Sequence, residues 1–500
     1  MKRIISLIMS IVLVMSLFCG TTFNVSAAGD SIDTATKISL NTNYKGSITE
    51  YSDQNVYKFT LDSSGSVKIS LTAYVEESRY YIYDENGNDV WHREWNYWNE
   101  IKKEYKMNET VDLVKGTYYF AVVKYDDEYT GKYNFKLEYK SAKESIAESQ
   151  SHTNNSVAEA DSIKVNKTYK GQLATNDDTD LYKFALSSSG RIKIKISAYI
   201  NYSSYYLYDE NGNSIWVMDW KEWNENTRVY KMNETVDLVK GTYYFAVVKS
   251  DEEYTGNYNF KLIYTSAKES ISESQSHSNN SISEADKIKI NKSYKGQIAA
   301  NDDTDLYKIT FKTRCTVKLK VNAYIWYSSY YMYDSNGNEV WSKTWQEWNE
   351  TKKEYKMNET LTLPKGKYYF AVSRDSDYTG NYTFSIECVH KYKTKSTSKA
   401  TFSKTGKTVK KCSDCGKTTT TKIQKIKSVK LSKTKYSYNG KTRKPSVKIK
   451  NAKGKTLKKG VDYTVKYSKG CKKPGKYRVT IKFKGKYSGT KKMYFKIVRK

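Results

Sequence analysis

The sequence predicts an all-β protein in which three sandwich domains follow one another and a short Cys/His segment leads into a smaller β unit. Three observations carry this. First, the chain repeats itself with a period of 125 residues: Gly46, Gly171 and Gly296 correspond, as do Trp91, Trp216 and Trp341. The register slips by one late in the third copy, where Gly131 and Gly256 are followed by Gly380. Such a period is too long for a solenoid unit and fits whole domains in tandem. Second, each copy holds short runs such as "VYKFTL", "SVKISLTAY" and "TYYFAVV", which alternate apolar and polar residues and favour β-branched and aromatic types. "DENGND", "VKGTYY" and "EYTGKY" break them with turn residues. Third, charge divides the chain: residues 391–500 hold 38 Lys and Arg against two acids, while the whole chain is only +31. A mildly acidic body therefore carries a very basic tail.

In chain order, residues 1–28 read as an export signal. Lys2 and Arg3 precede the apolar run Ile4 to Phe18, and Val25-Ser26-Ala27 offer a cleavage site near Ala27 or Ala28. Cys19 lacks the preceding pattern of a lipid attachment site. No other stretch is apolar and long enough to cross a bilayer, so the expectation is a secreted chain held at the cell wall or surface by other means. The three copies are placed at 29–140, 154–265 and 279–387. The Ser- and Glu-rich stretches 141–153 and 266–278 read as linkers with some helical tendency. Residues 388–425 form the Cys/His segment and 426–500 the basic unit. Cys315, Cys388, Cys412, Cys415 and Cys471 are too few and too uneven for a disulfide-built scaffold.

The order "NNSVAEADSI", "GQLATNDDTDLYKF", "YLYDENGN", "LVKGTYYFAVV", "YTGNYNFKL" resembles the bacterial pre-peptidase C-terminal domain. That domain is a jelly-roll-like β-sandwich appended to secreted peptidases and similar to the collagen-binding domains of clostridial collagenases. The resemblance covers about 110 residues of each copy, but no peptidase domain accompanies it. The last segment, with "KYSYNGKTRKPSVKIK", "GVDYTVKY" and a final "YSGT" before the closing strand, resembles small Ig-like modules on surface proteins of gut Firmicutes. The fold class expected is therefore three tandem jelly-roll-like β-sandwiches, a small Cys/His knuckle and an Ig-like β-sandwich.

Two metal patterns stand out. Cys388-x-His390 followed by Cys412-x-x-Cys415 supplies four soft or borderline ligands in two pairs, which suits a closed tetrahedral zinc site. A disulfide among the same cysteines is the other reading in an oxidising exterior. "NDDTD" at 176–180 and 301–305 clusters carboxylates suited to a hard cation such as calcium, at Asp177, Asp178 and Asp180 and at Asp302, Asp303 and Asp305. The resemblance to the clostridial domains, which bind calcium through their N-terminal linker, adds Asn155, Glu159 and Asp161, and Asn280, Glu284 and Asp286. The first copy departs, keeping only Asp53 and Asn55 of this motif. A solvated turn is the plainer reading.

Each copy also carries W-x3-W-x2-W-N: Trp91, Trp95 and Trp98; Trp216, Trp220 and Trp223; Trp341, Trp345 and Trp348. A helix would place all three on one face; a strand would place two. They serve either as a satellite core or as flat rings that stack on a ligand, with Tyr-rich strands such as "SSYYLYD" extending the surface.

For catalysis the chain offers four His and no Gly-x-Ser-x-Gly, His-Glu-x-x-His or phosphate loop. The expectation is a non-enzymatic binding protein that engages a glycan or extracellular matrix-like ligand multivalently. The rival is a structural spacer or calcium-stiffened stalk. The basic tail is expected to meet anionic cell-wall polymers rather than nucleic acid.

Overall fold

The computed structural model describes residues 22–24, 29–94, 98–219, 223–251, 253–344 and 348–499. Most of the expected export signal, Cys19, and Trp95, Trp220 and Trp345 lie outside the described residues. Every regular element among the described residues is a β-strand.

Each copy is a sandwich of two antiparallel sheets. In the second copy one sheet runs Thr168–Leu173, Gly256–Ser266, Gly190–Ala198, Tyr230–Leu238. The other runs Asp161–Ser162, Thr179–Leu186, Gly241–Lys249, Ser203–Tyr208, Ser214–Asp219, with a parallel pairing only at its first step. The first and third copies repeat this order. In the first copy a short strand, Thr22–Asn24, falls within the stretch read as leader and pairs in parallel with Asn43–Lys45.

Side-chain alternation dictates the layers. Along Gly190–Ala198, Ile192, Ile194, Ile196 and Ala198 point inward, while Arg191 and Lys195 are exposed. They meet Tyr182, Phe184, Tyr243, Phe245 and Phe260 from the facing strands to form one core. Burying a Leu, Ile or Phe contributes about 1.5–3 kcal/mol each, and the eleven to thirteen such residues in each core hold its domain together. The predicted "DENGN" turn, "DSNGN" in the third copy, closes one hairpin in each copy. Asp84 Oδ1 accepts the N–H groups of Asn86 and Asn88, both at 2.8 Å, and Gly87 takes φ +85°, which its missing Cβ permits.

The stretches between copies are turned and docked instead of helical. Ala142 and Ser145 donate backbone bonds to Ser64 and Lys170, and Gln150 to Lys115. A buried latch then joins successive domains. Asp112 of the first copy accepts Thr255 Oγ1 of the second at 2.9 Å, and its carbonyl accepts the Thr175 N–H at 2.9 Å. Asp237 repeats this with Thr379 Oγ1 (3.0 Å), Gln297 Nε2 (3.0 Å) and the Ala300 N–H (2.8 Å), and Arg191 grips it bidentately. The corresponding residue of the last copy is Thr362, which bonds Thr316 within its own domain.

Past Cys388, strands Tyr392–Ser398, Gly406–Cys412 and Thr418–Ile423 form a small sheet. It joins its neighbours at both ends: Cys412 belongs to the core of the third sandwich, Ala400 and Ile423 to the core of the final module. That module pairs Ile426–Leu431 with Val447–Asn451 and faces them with a four-stranded sheet that includes Gly475–Phe483 and Thr490–Val498.

Candidate metal centres and ligand surface

Folding brings two residues of each "NDDTD" motif onto a residue of the preceding linker. Glu148, Asp177 and Asp180 are buried with their oxygens within 4.8 Å of one another, and Glu273, Asp302 and Asp305 repeat the arrangement. Both Glu148 oxygens, Asp177 Oδ2 and Asp180 Oδ1 have no hydrogen-bond partner; nor do Glu273 Oε2, either Asp302 oxygen or Asp305 Oδ1. Burial pushes the Asp177 carboxyl up to about 7 and Asp302 to about 6. Burial, compounded by Asp177 and Asp180, drives Glu148 up to about 12. Three apposed buried carboxylates with unpartnered oxygens keep protons or neutralise a cation. Hard, all-oxygen donors suit calcium chemistry. The Asn155 carboxamide lies 2.8 Å from Asp177 Oδ1 and 2.5 Å from the Thr179 carbonyl. Its amide donates to both when no ion is present; turned over, it presents a further oxygen to a cation. Asn280 is the equivalent residue beside Asp302.

The other expected ligands sit elsewhere. Asp178 forms an ion pair with Lys249 at 2.9 Å, and Asp303 one with Arg374 at 2.6 Å. Glu159 accepts Ser156 and Thr153 hydroxyls, and Glu284 those of Ser281 and Ser278. Asp161 and Asp286 accept the side chains of Asn154 and Asn279. In the first copy Ser52 and Asn55 take the places of Asp177 and Asp180. There Asn55 Nδ2 donates to Tyr133 Oη at 2.6 Å and to the Ser47 carbonyl at 2.8 Å, so the pocket is neutral. Beneath the second and third sites a tyrosine pair, Tyr182–Tyr258 and Tyr307–Tyr382, is hydrogen-bonded at 2.6 Å. Tyr258 and Tyr382 also donate to Asp180 and Asp305.

Cys388, His390, Cys412 and Cys415 converge as their spacing predicts. Cys388 ends the last strand of the third sandwich; Cys412 and Cys415 flank a tight turn closed by Gly416 at φ +74°. The Cys388–Cys412 Sγ separation is 3.9 Å and Cys415 Sγ to His390 Nδ1 is 3.2 Å. A tetrahedron with Zn–S bonds of about 2.3 Å has edges of about 3.8 Å, so the set fits zinc. Its three cysteines are unbridged. Against the opposing effect of burial, the backbone N–H groups of Cys415 and Asp414 hold the Cys412 thiol down to about 6. That favours the thiolate a metal needs.

The tryptophan segments enter as strand: Trp91 pairs across from Ile82, Trp216 from Leu207 and Trp341 from Met332. Trp91, Trp98, Trp216, Trp223, Trp341 and Trp348 are all half-buried and lie against their domain cores. A second periodic aromatic is more open. Tyr74, Tyr199 and Tyr324 occupy one equivalent position and are 47%, 55% and 48% exposed. The 125-residue period contained this signal, but the denser Trp motif masked it. Beside Tyr74 a shallow groove is lined by Lys45, Ser47, Lys132 and Asn134.

No family model matches the chain. The chain is similar to the collagenase ColA of Clostridium perfringens, with 26% identity over 260 residues, 48% of this chain and 22% of that enzyme. The match thus spans about a fifth of the curated relative. Among solved structures, the pre-peptidase C-terminal domain of a Bacillus anthracis collagenase is 28% identical, covering 22% of this chain and 99% of that domain, with a TM-score of 0.17. A Clostridium perfringens ZmpB structure that joins an M60 catalytic domain to two CBM51 domains is 8% identical over 67% of this chain and 33% of that one, with a TM-score of 0.13. The likeness to the collagenase thus extends over about half of this chain, and no helix among the described residues is long and apolar enough to cross a membrane.

Proposed function

We propose that this chain is an exported, cell-surface-associated, non-enzymatic binding protein that presents three copies of one ligand surface to a glycan or extracellular matrix-like polymer. The observation that carries this is the half-exposed tyrosine Tyr74, Tyr199 and Tyr324, repeated on three domains whose buried latches fix their mutual placement. Tyr offers flat apolar area and a hydroxyl at low entropic cost. Three weak sites held in register gain avidity on a repeating polymer without any new contact. Similarity to collagenase accessory domains points to the same class of ligand.

Calcium occupies the two buried triads in this reading. Glu148 and Glu273 belong to the linkers while the paired aspartates belong to the following domain, so each ion ties a linker to its domain. Zinc at Cys388, His390, Cys412 and Cys415 is structural, because four protein ligands leave no open position. The basic module holds the protein to anionic wall polymers through exposed lysines such as Lys491 and Lys492, a salt-sensitive attachment. The test is binding of the full chain to arrays of glycans and fibrous matrix proteins, against a triple Tyr→Ala variant at 74, 199 and 324. Binding lost in that variant supports the reading. No binding by the wild type to any class would favour a spacer without its own ligand.

A further inference from the structure

Comparison of the three copies isolates a fifth cysteine beside the Cys/His centre. Positions 65 and 190 are glycine and their equivalent is Cys315; positions 139 and 264 are tyrosine and their equivalent is Cys388. The two exchanges are sterically coupled. In the first copy a Cβ on Gly65 would come within 2.8 Å of the Tyr139 ring and 2.4 Å of the Lys140 carbonyl; in the second, one on Gly190 would come within 2.6 Å of the Tyr264 ring and 2.4 Å of the Thr265 carbonyl. Removing the ring at 388 opens the space that the Cys315 side chain fills. A third exchange accompanies them. Ser63 and Ser188, which bond the tyrosine hydroxyls, become Thr313, whose hydroxyl donates to the Asp414 carbonyl next to the centre.

Cys315 is buried, and its Sγ lies 3.6 Å from Cys388 Sγ. It stands outside the four-ligand set, touching only the one ligand that the sandwich itself supplies. The strands pair Val317 with Cys388, so Cys315 is a diagonal neighbour at the strand end. Closing from there to a sulfur–sulfur bond of about 2.05 Å requires the two strand ends to yield by about 1.5 Å.

We propose that Cys315 and Cys388 form an oxidative cross-link site that competes with the metal for Cys388. A hydroperoxide is the oxidant. The Cys388 thiolate attacks a peroxide oxygen and the O–O bond breaks, giving the sulfenic acid and hydroxide (the alkoxide for an organic hydroperoxide); the Cys315 thiol then attacks that sulfur, its proton leaving with the hydroxyl as water, and the disulfide forms. Two thiols lose two electrons, the peroxide gains them, and the metal leaves because one of its four ligands is gone. The sandwich then keeps an internal brace while the ribbon loses its metal tie to it. The metal half of this inference rests on the zinc reading above; the cross-link does not.

The test uses the full chain loaded with zinc and titrated with hydrogen peroxide, following zinc release with a chromogenic chelator and mapping alkylated and bridged peptides by mass spectrometry. The expected result is a Cys315–Cys388 peptide pair appearing in step with zinc release. Cys315→Ser should keep its zinc and lose it about tenfold more slowly under peroxide, since no resolving thiol remains. A double variant, Cys315→Gly with Cys388→Tyr, restores the pair of the other copies and checks that the third sandwich folds without either thiol. A bridge between Cys412 and Cys415 with Cys315 still alkylatable would overturn the proposal, as would unchanged release from Cys315→Ser. A wild-type chain that binds no zinc yet forms the Cys315–Cys388 bridge would sink the zinc reading and leave the cross-link standing.

Discussion

Replacing Asp180 with asparagine converts the acidic pocket of the second sandwich into the neutral arrangement of the first. There Asn55 already donates to a tyrosine hydroxyl and a carbonyl without charge. The magnitude follows from the neighbouring carboxyl. Asp177 stands at about 7 in the fold against 3.8 when free. Its folded value is raised, so its contribution to stability is present below about pH 4 and is lost as pH rises through about 7. At pH 8 the metal-free fold carries a penalty on the order of a few kcal/mol, shared between Asp177 and the buried carboxyls beside it. Calcium reverses the sign, because bound cation stabilises the ionised form and protons compete with it. Scanning calorimetry of the full chain resolves this, since the first sandwich lacks the site and serves as an internal reference. In chelator, two of the three sandwich transitions should fall between about pH 5 and about pH 8, each by about 10 °C, and recover with calcium. Asp180→Asn should abolish the calcium response of one of them and raise its metal-free midpoint at about pH 8, because the amide is neutral when buried and needs no proton to stay so. Two results would refute the reasoning: a metal-free chain equally stable at both pH values, or an Asp180→Asn chain that keeps both calcium responses.

Three further outcomes are expected. Gly171→Ala should destabilise the second sandwich by about 2 kcal/mol or more, because the new Cβ would lie 2.4 Å from Tyr258 Oη and 2.7 Å from Tyr182 Oη; denaturant unfolding measures it. Asp237→Ala removes the acceptor shared by Arg191, Gln297 and Thr379 and leaves a buried donor unpaired, so the second and third sandwiches should reorient freely in small-angle scattering, at a cost of about 1–3 kcal/mol. Tyr324→Ala, at a half-exposed position, should change stability by less than about 0.5 kcal/mol while weakening ligand binding, which separates recognition from folding when both are measured on one sample.

The sequence by itself determined the features that are local along the chain. Alternation along "GRIKIKISA" specifies a half-buried strand because successive side chains point to opposite faces, and Asn-Gly specifies its turn because glycine tolerates positive φ. The zinc-type set was legible because Cys-x-x-Cys and Cys-x-His each bring two ligands together through a few bonds. The tertiary structure alone decided what depends on neighbours distant in sequence. Asp178 and Asp303 look like ligands in "NDDTD", yet strand twist and pairing turn them toward Lys249 and Arg374. Their place is taken by Glu148 and Glu273, from linkers that looked unstructured because their order comes from docking and not from their own periodicity. The latch aspartates Asp112 and Asp237 resemble any strand carboxylate until the next domain supplies its threonine. Cys315 is one more isolated cysteine until two strands seventy residues apart lay its sulfur beside Cys388. Propensity and turn chemistry act over a few residues and survive in the sequence as pattern, whereas burial, shared carboxylates and apposed thiols arise only when non-adjacent strands pair.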